Sequence, residues 1–207
     1  MNELESINYF DAGRWAVTSA PGTEPISRSE AKNYLKIASG ITADDTLIDS
    51  MIVAARNIVQ RYTRRLLITQ TITEKRDKLT EYSTGVSLLN SFPLFWGPVT
   101  SVTSITYLDS AGASQALSTS VYGTDLYSAP ARIYLKNGQS WPTVYDQRDA
   151  VTIVYVAGSA NAAAVPDELK MAMYLLIADM YENRTDYVKK LPTAAEYLMD
   201  QHRVKVW

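Results

Sequence analysis

Apolar residues recur at helical spacing in two separate parts of the chain. In residues 47–62 they follow one another three and four positions apart, which is the spacing of one face of an α-helix. Thr42 is the predicted N-cap of this helix. A shorter helix before it is predicted to begin at Ser27, where Glu30 completes a capping box, and to end near Ile37. The first helical region is therefore a pair of helices.

The second helical region covers residues 165–203. Pro166 suits the first turn of a helix, because its fixed φ fits there and its missing N–H has no partner to lose. A capping box is predicted to start a further helix at Thr193, with Glu196 three positions later. The first of these helices has an apolar stripe formed by Leu169, Met173, Leu176, Ile177 and Met180.

Between the two helical regions the period changes to two, which is typical of strands. Asp109-Ser110-Ala111-Gly112 is predicted to be a turn that starts a hairpin return through Leu117. Four prolines are predicted to lie in connections, where a missing N–H breaks no ladder: Pro93, Pro98, Pro130 and Pro142. The roughly six strands are predicted at or near residues 69–73, 86–89, 99–108, 122–127, 132–135 and 151–156.

Neither helical region has enough apolar surface to form a core alone, so the two are expected to pack on each other. The predicted fold class is α+β, with a four-helix body formed from the N- and C-terminal halves and an inserted antiparallel β lobe. Residues 24–67 and 159–203 form the body, and residues 68–158 form the lobe. Residues 1–23 are an extended N-terminal arm with a short strand near Trp15, and residues 204–207 are a C-terminal tail.

Composition narrows the classes of function. The 207 residues contain no cysteine and one histidine, His202, and the formal charge is −2. Disulfides and thiolate metal sites are thereby excluded, and the balanced charge gives no general attraction to DNA or to an anionic membrane. No segment approaches the roughly 20 apolar residues of a membrane span, and no secretory signal is expected. Without a spaced catalytic pair, we expect no enzyme and no cofactor.

Several short segments, taken in order, resemble the head–tail connector (adaptor) proteins of tailed phages. The resemblance covers residues 24–207, and its strength lies in the ordered set, with the β insert in the right place. The matching segments include Glu24-Pro25-Ile26-Ser27, Asp44-Asp45, Tyr62-Thr63 with Arg65, Pro98-Val99, Trp141-Pro142, Val151-Thr152-Ile153-Val154-Tyr155, Val165-Pro166 and Tyr181-Glu182-Asn183-Arg184.

This resemblance implies a structural protein of the virion, located in the neck at the head–tail junction and assembled in the host cytoplasm. Its implied partners are the portal protein, copies of itself in a twelvefold ring, the next neck or tail component, and genomic DNA that passes without sequence-specific binding. The connector family often has Gly or Asn near the position of Arg64, so Arg64 is expected to let the second helix continue. The acidic arm before Trp15 is longer than the family pattern implies.

Two groups of residues are predicted to make these contacts. The C-terminal segment alternates basic and apolar residues like an exposed strand and ends in an aromatic anchor, which suits docking on the edge of a partner. The predicted portal-binding residues are His202, Arg203, Val204, Lys205, Val206 and Trp207. The predicted subunit or partner interface consists of Arg56, Arg61, Arg64, Arg65, Glu182 and Arg184.

Each prediction has an alternative. The arginines also suit a solvated basic helix end, and the C-terminal segment could pack on its own chain. Asp44, Asp45 and Asp49 resemble a metal cluster, but acidic residues favour a helix N-terminus in any case. The alternative function is a carbohydrate- or protein-binding β module of a tail fibre on a helical stem. Its aromatic platform would be Tyr122, Tyr127, Tyr134, Tyr145 and Tyr155, which also suit packing.

Overall fold

The computed structural model describes residues 14–79, 90–183 and 191–204. Within them the chain forms four α-helices and two antiparallel sheets, which confirms the α+β class. The helices are α1 (Arg28–Tyr34), α2 (Asp45–Thr63), α3 (Asp167–Glu182) and α4 (Thr193–Asp200). The strands are β1 (Trp15–Ser19), β2 (Gln70–Arg76), β3 (Ser91–Pro93), β4 (Val99–Leu108), β5 (Ser114–Ala116), β6 (Tyr122–Asp125), β7 (Arg132–Leu135) and β8 (Val151–Ala157).

Residues 14–20 and 70–157 belong to one compact unit, the β unit. Its larger sheet has the strand order β1-β2-β8-β4-β5, with β8 at the centre. Strict alternation along β8 buries Val151, Ile153, Tyr155 and Ala157 on one face, as the period-two pattern predicts. β1 lies in the segment predicted as an extended arm, and it pairs with β2 along the edge of this sheet.

The second sheet of the β unit has the order β3-β7-β6 and buries Phe92 and Ile133. Pro93 is the last residue of β3, so its predicted place in a connection is wrong. The end of a strand tolerates proline because the ladder stops there. The strand predicted at residues 86–89 lies outside the described residues.

Residues 21–69 and 158–204 belong to the other compact unit, the helical unit. The capping box of α1 is confirmed: the Glu30 N–H donates to Ser27 Oγ at 3.2 Å, and the Ser27 N–H donates to Glu30 Oε2 at 2.6 Å. The helix ends at Tyr34, before the predicted end, because Lys36 takes a positive φ of 59°. A single apolar cluster contains buried residues from α2, α3 and α4, among them Ile48, Ile52, Val59, Leu169, Met173, Ile177, Ala195 and Met199.

Three details of the predicted helix ends are wrong. α2 starts at Asp45 with Asp44 as its N-cap, so Thr42 is not the cap. The helix stops at Thr63 because Arg64 adopts φ 56° and ψ 32°, the left-handed conformation in which many helices end. α4 has Pro192 as its N-cap, and Thr193 is already helical, so no capping box forms there.

Two acidic side chains in the first turns of α2 are held by basic residues of α1. Lys32 Nζ lies 2.8 Å from Asp45 Oδ1, and Arg28 Nε donates to Asp49 Oδ1 at 2.7 Å. The hydrogen bond from Lys32 lowers the pKa of Asp45, and the hydrogen bond from Arg28 lowers the pKa of Asp49. These depressed values make the pairing of α1 with α2 dependent on pH.

We therefore expect the melting temperature to fall as pH drops below about 4. Groups with depressed folded-state pKa values stabilise the fold above their unfolded-state pKa, and this contribution is lost as pH falls through the folded-state values. Thermal unfolding should be followed from about pH 7 to about pH 2 for the natural chain and for the variant with both Asp45→Asn and Asp49→Asn. The double variant should start lower and lose less with acid, whereas Asp146→Asn, at an exposed position, should follow the natural chain. Parallel curves for the double variant and the natural chain would contradict the expectation.

Candidate interaction site at the C-terminal end of α2

The structure brings the C-terminal end of α2 together with residues 200–204. A helix leaves its last carbonyl groups without partners inside the helix. Here the Thr63 carbonyl accepts a hydrogen bond from the Val204 N–H at 2.9 Å. The Val204 side chain is only 7% exposed. The predicted C-terminal docking segment therefore begins with residues that pack on their own chain.

Arg65 makes a second contact with the same segment. Its Nε donates to the His202 carbonyl at 2.8 Å. Burial lowers the pKa of Arg65, but an arginine with a lowered pKa still carries its charge at neutral pH. The His202 ring contacts α3 as well, since Nε2 lies 3.5 Å from Glu168 Oε2. Residues 202–204 are thus attached to both α2 and α3.

Tyr62 completes the arrangement. Its hydroxyl donates to Asp200 Oδ1 at 2.7 Å, and Glu196 Oε1 lies 3.5 Å away. The guanidinium of Arg203 stacks over the Tyr62 ring, 5.2 Å from its centroid. Burial, followed by the hydrogen bond and charge of Asp200, raises the pKa of Tyr62, so the hydroxyl stays protonated and remains a donor. We call Tyr62, Thr63, Arg65, Asp200 and residues 202–204 the C-terminal clamp.

The remaining predicted interface residues lie in different surroundings. Arg56 is not at the end of α2: its side chain is 9% exposed, and its Nε donates to Glu24 Oε2 at 2.7 Å. Arg61 is exposed, Arg64 is half-buried, and Glu182 is exposed at the end of α3. The positions outside the described residues are Arg184, Lys205, Val206 and Trp207.

The structure also describes the residues behind the two alternative interpretations, the metal cluster and the aromatic platform. Asp44 accepts a hydrogen bond from the Tyr181 hydroxyl at 2.7 Å, and Asp45 and Asp49 pair with basic residues as described above. Among the described residues, no group of three or more His, Asp or Glu side chains is placed to hold a metal ion. No helix in that part of the chain has the length and apolar character to cross a membrane. Of the five tyrosines, Tyr122 and Tyr155 are buried in the β unit, and the other three are exposed.

Neither a protein-family model nor a curated protein matches the chain. Solved structures do match it, each over 93% of this chain and 96% of the other chain. One is the neck of an empty gene transfer agent particle computed with sixfold symmetry, with 22% identity and a TM-score of 0.75. The others are the virion of a native gene transfer agent particle, at 22% and 0.72, and the neck of the native particle computed with twelvefold symmetry, at 23% and 0.70.

The chain has the fold of a chain from these neck structures. This confirms, at the level of the fold, the resemblance to head–tail connector proteins that the ordered sequence segments indicated. The match includes both the β unit and the helical unit, because it covers nearly the whole of each chain. Among the described residues, the C-terminal clamp brings a predicted interface residue, Arg65, into contact with a predicted portal-binding residue, His202.

Proposed function

We propose that this protein is a structural, non-enzymatic component of the neck of a phage-like particle and acts there as a head–tail adaptor. It forms a ring under the portal, extends the DNA channel and docks the next neck or tail component. The observation that carries the proposal is the fold shared with neck structures over 93% of this chain and 96% of the other. Their sixfold and twelvefold symmetry supports a closed ring of identical subunits.

The ring body in this proposal is the four-helix body formed from residues 24–67 and 159–203, with residues 68–158 as the inserted lobe. The apolar cluster shared by α2, α3 and α4 supports such a body, because it contains buried residues from both halves. The formal charge of −2 supports passage of DNA without tight binding, since a strongly basic channel would retain phosphates. In this proposal the protein is located in the neck of the virion, and during assembly it is in the host cytoplasm.

In this proposal the C-terminal residues, His202 to Trp207, bind the portal. The C-terminal clamp supports this assignment by fixing residues 202–204, so that the docking segment starts from a defined point on the helical unit. Fixing one end of a binding segment lowers the entropy that binding costs. Arg61 and Glu182 are exposed and remain candidates for contacts with neighbouring subunits.

A chain truncated after Gln201 should fail to join capsids that contain the portal. The experiment mixes purified protein with such capsids and measures the bound fraction by sedimentation and negative-stain imaging. Because truncation also removes the Val204 N–H from the clamp, full-length Trp207→Ala serves as the second variant, which leaves every clamp residue in place. Both variants should lose most binding while keeping the circular dichroism of the natural chain. Normal joining by the truncated chain would show that the C-terminal segment has no docking role.

A further inference from the structure

The turn that follows β7 places an asparagine and a glycine next to each other at the protein surface. Residues 136–140 are all exposed. The Gln139 N–H donates to the Lys136 carbonyl at 3.1 Å, which closes a turn with Asn137 and Gly138 at its centre. Gly138 has a φ of +74°, the conformation that a type II turn requires of its third residue and that glycine adopts without strain. Both central residues are therefore accessible to water.

The reactive atoms of this pair are not engaged elsewhere. Among the described residues, none forms a hydrogen bond with the Asn137 side chain or accepts one from the Gly138 N–H. A Cβ placed on Gly138 would meet nothing within 4 Å, so no neighbouring atom crowds this residue. The hydrogen bond from Gln139 closes the turn, and opening an exposed turn costs little free energy. The Gly138 nitrogen can therefore approach the side-chain amide carbon of Asn137.

An asparagine amide reacts with the backbone nitrogen of the following residue when the two can meet, because the product is an unstrained cyclic imide (succinimide). The reaction is intramolecular, so it needs neither a partner nor an enzyme. A side chain on the following residue slows the reaction by crowding the attacking nitrogen, and glycine has none. The rate rises with pH, because the nitrogen attacks after losing its proton.

Other asparagines of the chain lack these conditions. Asn137 is the only asparagine in the sequence that precedes a glycine. Asn33 and Asn57 lie inside α1 and α2, where helical hydrogen bonds hold the backbone, and each precedes a residue with a bulky side chain. The Asn161 side chain accepts a hydrogen bond from the Ala164 N–H at 3.0 Å. The conditions for the reaction are therefore met together at Asn137.

We propose that Asn137 is a site of spontaneous deamidation in the folded protein. The Gly138 nitrogen forms a bond to Cγ of Asn137, the bond from Cγ to the side-chain nitrogen breaks, and that nitrogen leaves as ammonia with the proton of the Gly138 N–H. Water then opens the ring. Attack of water on Cγ gives aspartate, and attack on the main-chain carbonyl carbon gives isoaspartate. Either product makes the formal charge one unit more negative than −2.

The position of the turn allows the fold to tolerate both products. β7 ends at Leu135, and the Lys136 N–H donates to the Val121 carbonyl at 3.0 Å, so the sheet is complete before Asn137. Isoaspartate adds one carbon to the main chain, but it does so inside an exposed turn where no buried side chain has to move. The inference is independent of the proposed function, because it follows from the chemistry of this turn alone.

The test incubates the purified full-length chain at mildly alkaline pH for days and separates samples by anion-exchange chromatography. A species with one additional negative charge should accumulate, while circular dichroism stays unchanged. Pepsin digestion at acidic pH, where the reaction is slow, followed by mass spectrometry should place the mass gain, that of water minus ammonia, on Asn137. Two products of equal mass are expected, and one of them should elute with the corresponding peptide of the Asn137→Asp variant.

Two variants and one internal control make the test decisive. Asn137→Gln lengthens the side chain, so the favourable ring cannot form and the position should stay unmodified. Gly138→Ala crowds the attacking nitrogen and should slow the reaction by about tenfold or more. Asn161 in the same samples should stay unmodified. Three results would overturn the inference: an unmodified Asn137 after a short synthetic peptide of the same sequence has converted, an earlier conversion at Asn161, or an unchanged rate in Gly138→Ala.

Discussion

The Glu74→Ala variant is expected to unfold with a free energy about 3–5 kcal/mol lower than that of the natural chain. Glu74 lies on β2 and is only 4% exposed. Its Oε1 accepts from Arg76 Nε at 2.8 Å and from Arg76 Nη2 at 2.6 Å. Removing the carboxylate leaves the guanidinium, which is 22% exposed, without its counter-charge, and breaking such a pair costs more than the pair contributes.

The second oxygen of Glu74 adds to the cost. Oε2 accepts from the Phe95 N–H and from the Tyr155 hydroxyl, each at 3.1 Å. Burial, followed by the negative charge of Glu74, raises the pKa of Tyr155 well above its usual value, so the hydroxyl remains a donor. Alanine would remove the hydrogen bond of the half-buried Phe95 N–H and leave the buried Tyr155 hydroxyl without its acceptor, and the loss at a buried donor costs about 1–3 kcal/mol.

Chemical denaturation followed by tryptophan fluorescence and circular dichroism checks this expectation. Lys75→Ala is the matched control, because Lys75 is the next residue of the same strand and its Nζ makes an exposed hydrogen bond to Thr152. This control should change the free energy of unfolding by no more than about 0.5–1 kcal/mol. If Glu74→Ala and Lys75→Ala unfold at the same denaturant concentration, the buried network does not stabilise the β unit as its geometry indicates.

Gly158→Ala should be the other severely destabilised variant, with a loss of about 2–5 kcal/mol. Gly158 has a φ of +114°, and a Cβ at this position would lie 2.3 Å from the Ile68 carbonyl oxygen. The Thr69 N–H donates to the Ser159 carbonyl at 2.9 Å beside this approach, so the two backbone segments cannot separate without losing a hydrogen bond. Alanine therefore suffers both an unfavourable backbone conformation and a clash with main-chain atoms.

Two other glycines separate these effects. Gly112 also has a positive φ, +79°, but an added Cβ would meet nothing within 4 Å, so Gly112→Ala should cost only about 1 kcal/mol. Gly40→Ala, which faces neither problem, should be neutral or slightly stabilising. Thermal unfolding of the three variants should rank them Gly158, Gly112 and Gly40 from most to least destabilised. Equal effects for Gly158→Ala and Gly112→Ala would mean that the close approach to Ile68 adds no cost.

The elements with long, regular patterns were predictable from sequence. α2 and β8 have one apolar face at a constant period, and burial of that face fixes the element regardless of its neighbours. Helix ends were less predictable, because they depend on single residues whose backbone conformation has several local solutions. Arg64 adopts a left-handed conformation that its residue type does not favour. At the start of α4, Pro192 is the N-cap and Thr193 is the first helical residue, so the capping box suggested by Thr193 does not form.

Individual residues of the candidate site could be predicted from the sequence, but the contacts between them could not. The sequence singled out Arg65 within a family segment, and it singled out the C-terminal residues by their alternation. Their contact could not be inferred, because Arg65 and His202 are 137 positions apart and the pairing uses a main-chain carbonyl. Every residue type has a main-chain carbonyl, so this contact does not restrict which residue occupies position 202. A single sequence therefore does not reveal the contact between Arg65 and His202.

The helical unit is discontinuous in the chain, and this has a consequence for biosynthesis. The ribosome releases β1, then α1 and α2, then the rest of the β unit from β2 to β8, and only then the start of α3 at Asp167. At about 5–20 residues per second, the nascent α2 waits roughly 5–20 seconds for the helix that covers its apolar face. The large sheet can form only at the end of this interval, because its central strand β8 ends at Ala157, shortly before α3 begins at Asp167. Molecular chaperones would therefore meet this protein first at the uncovered face of α2.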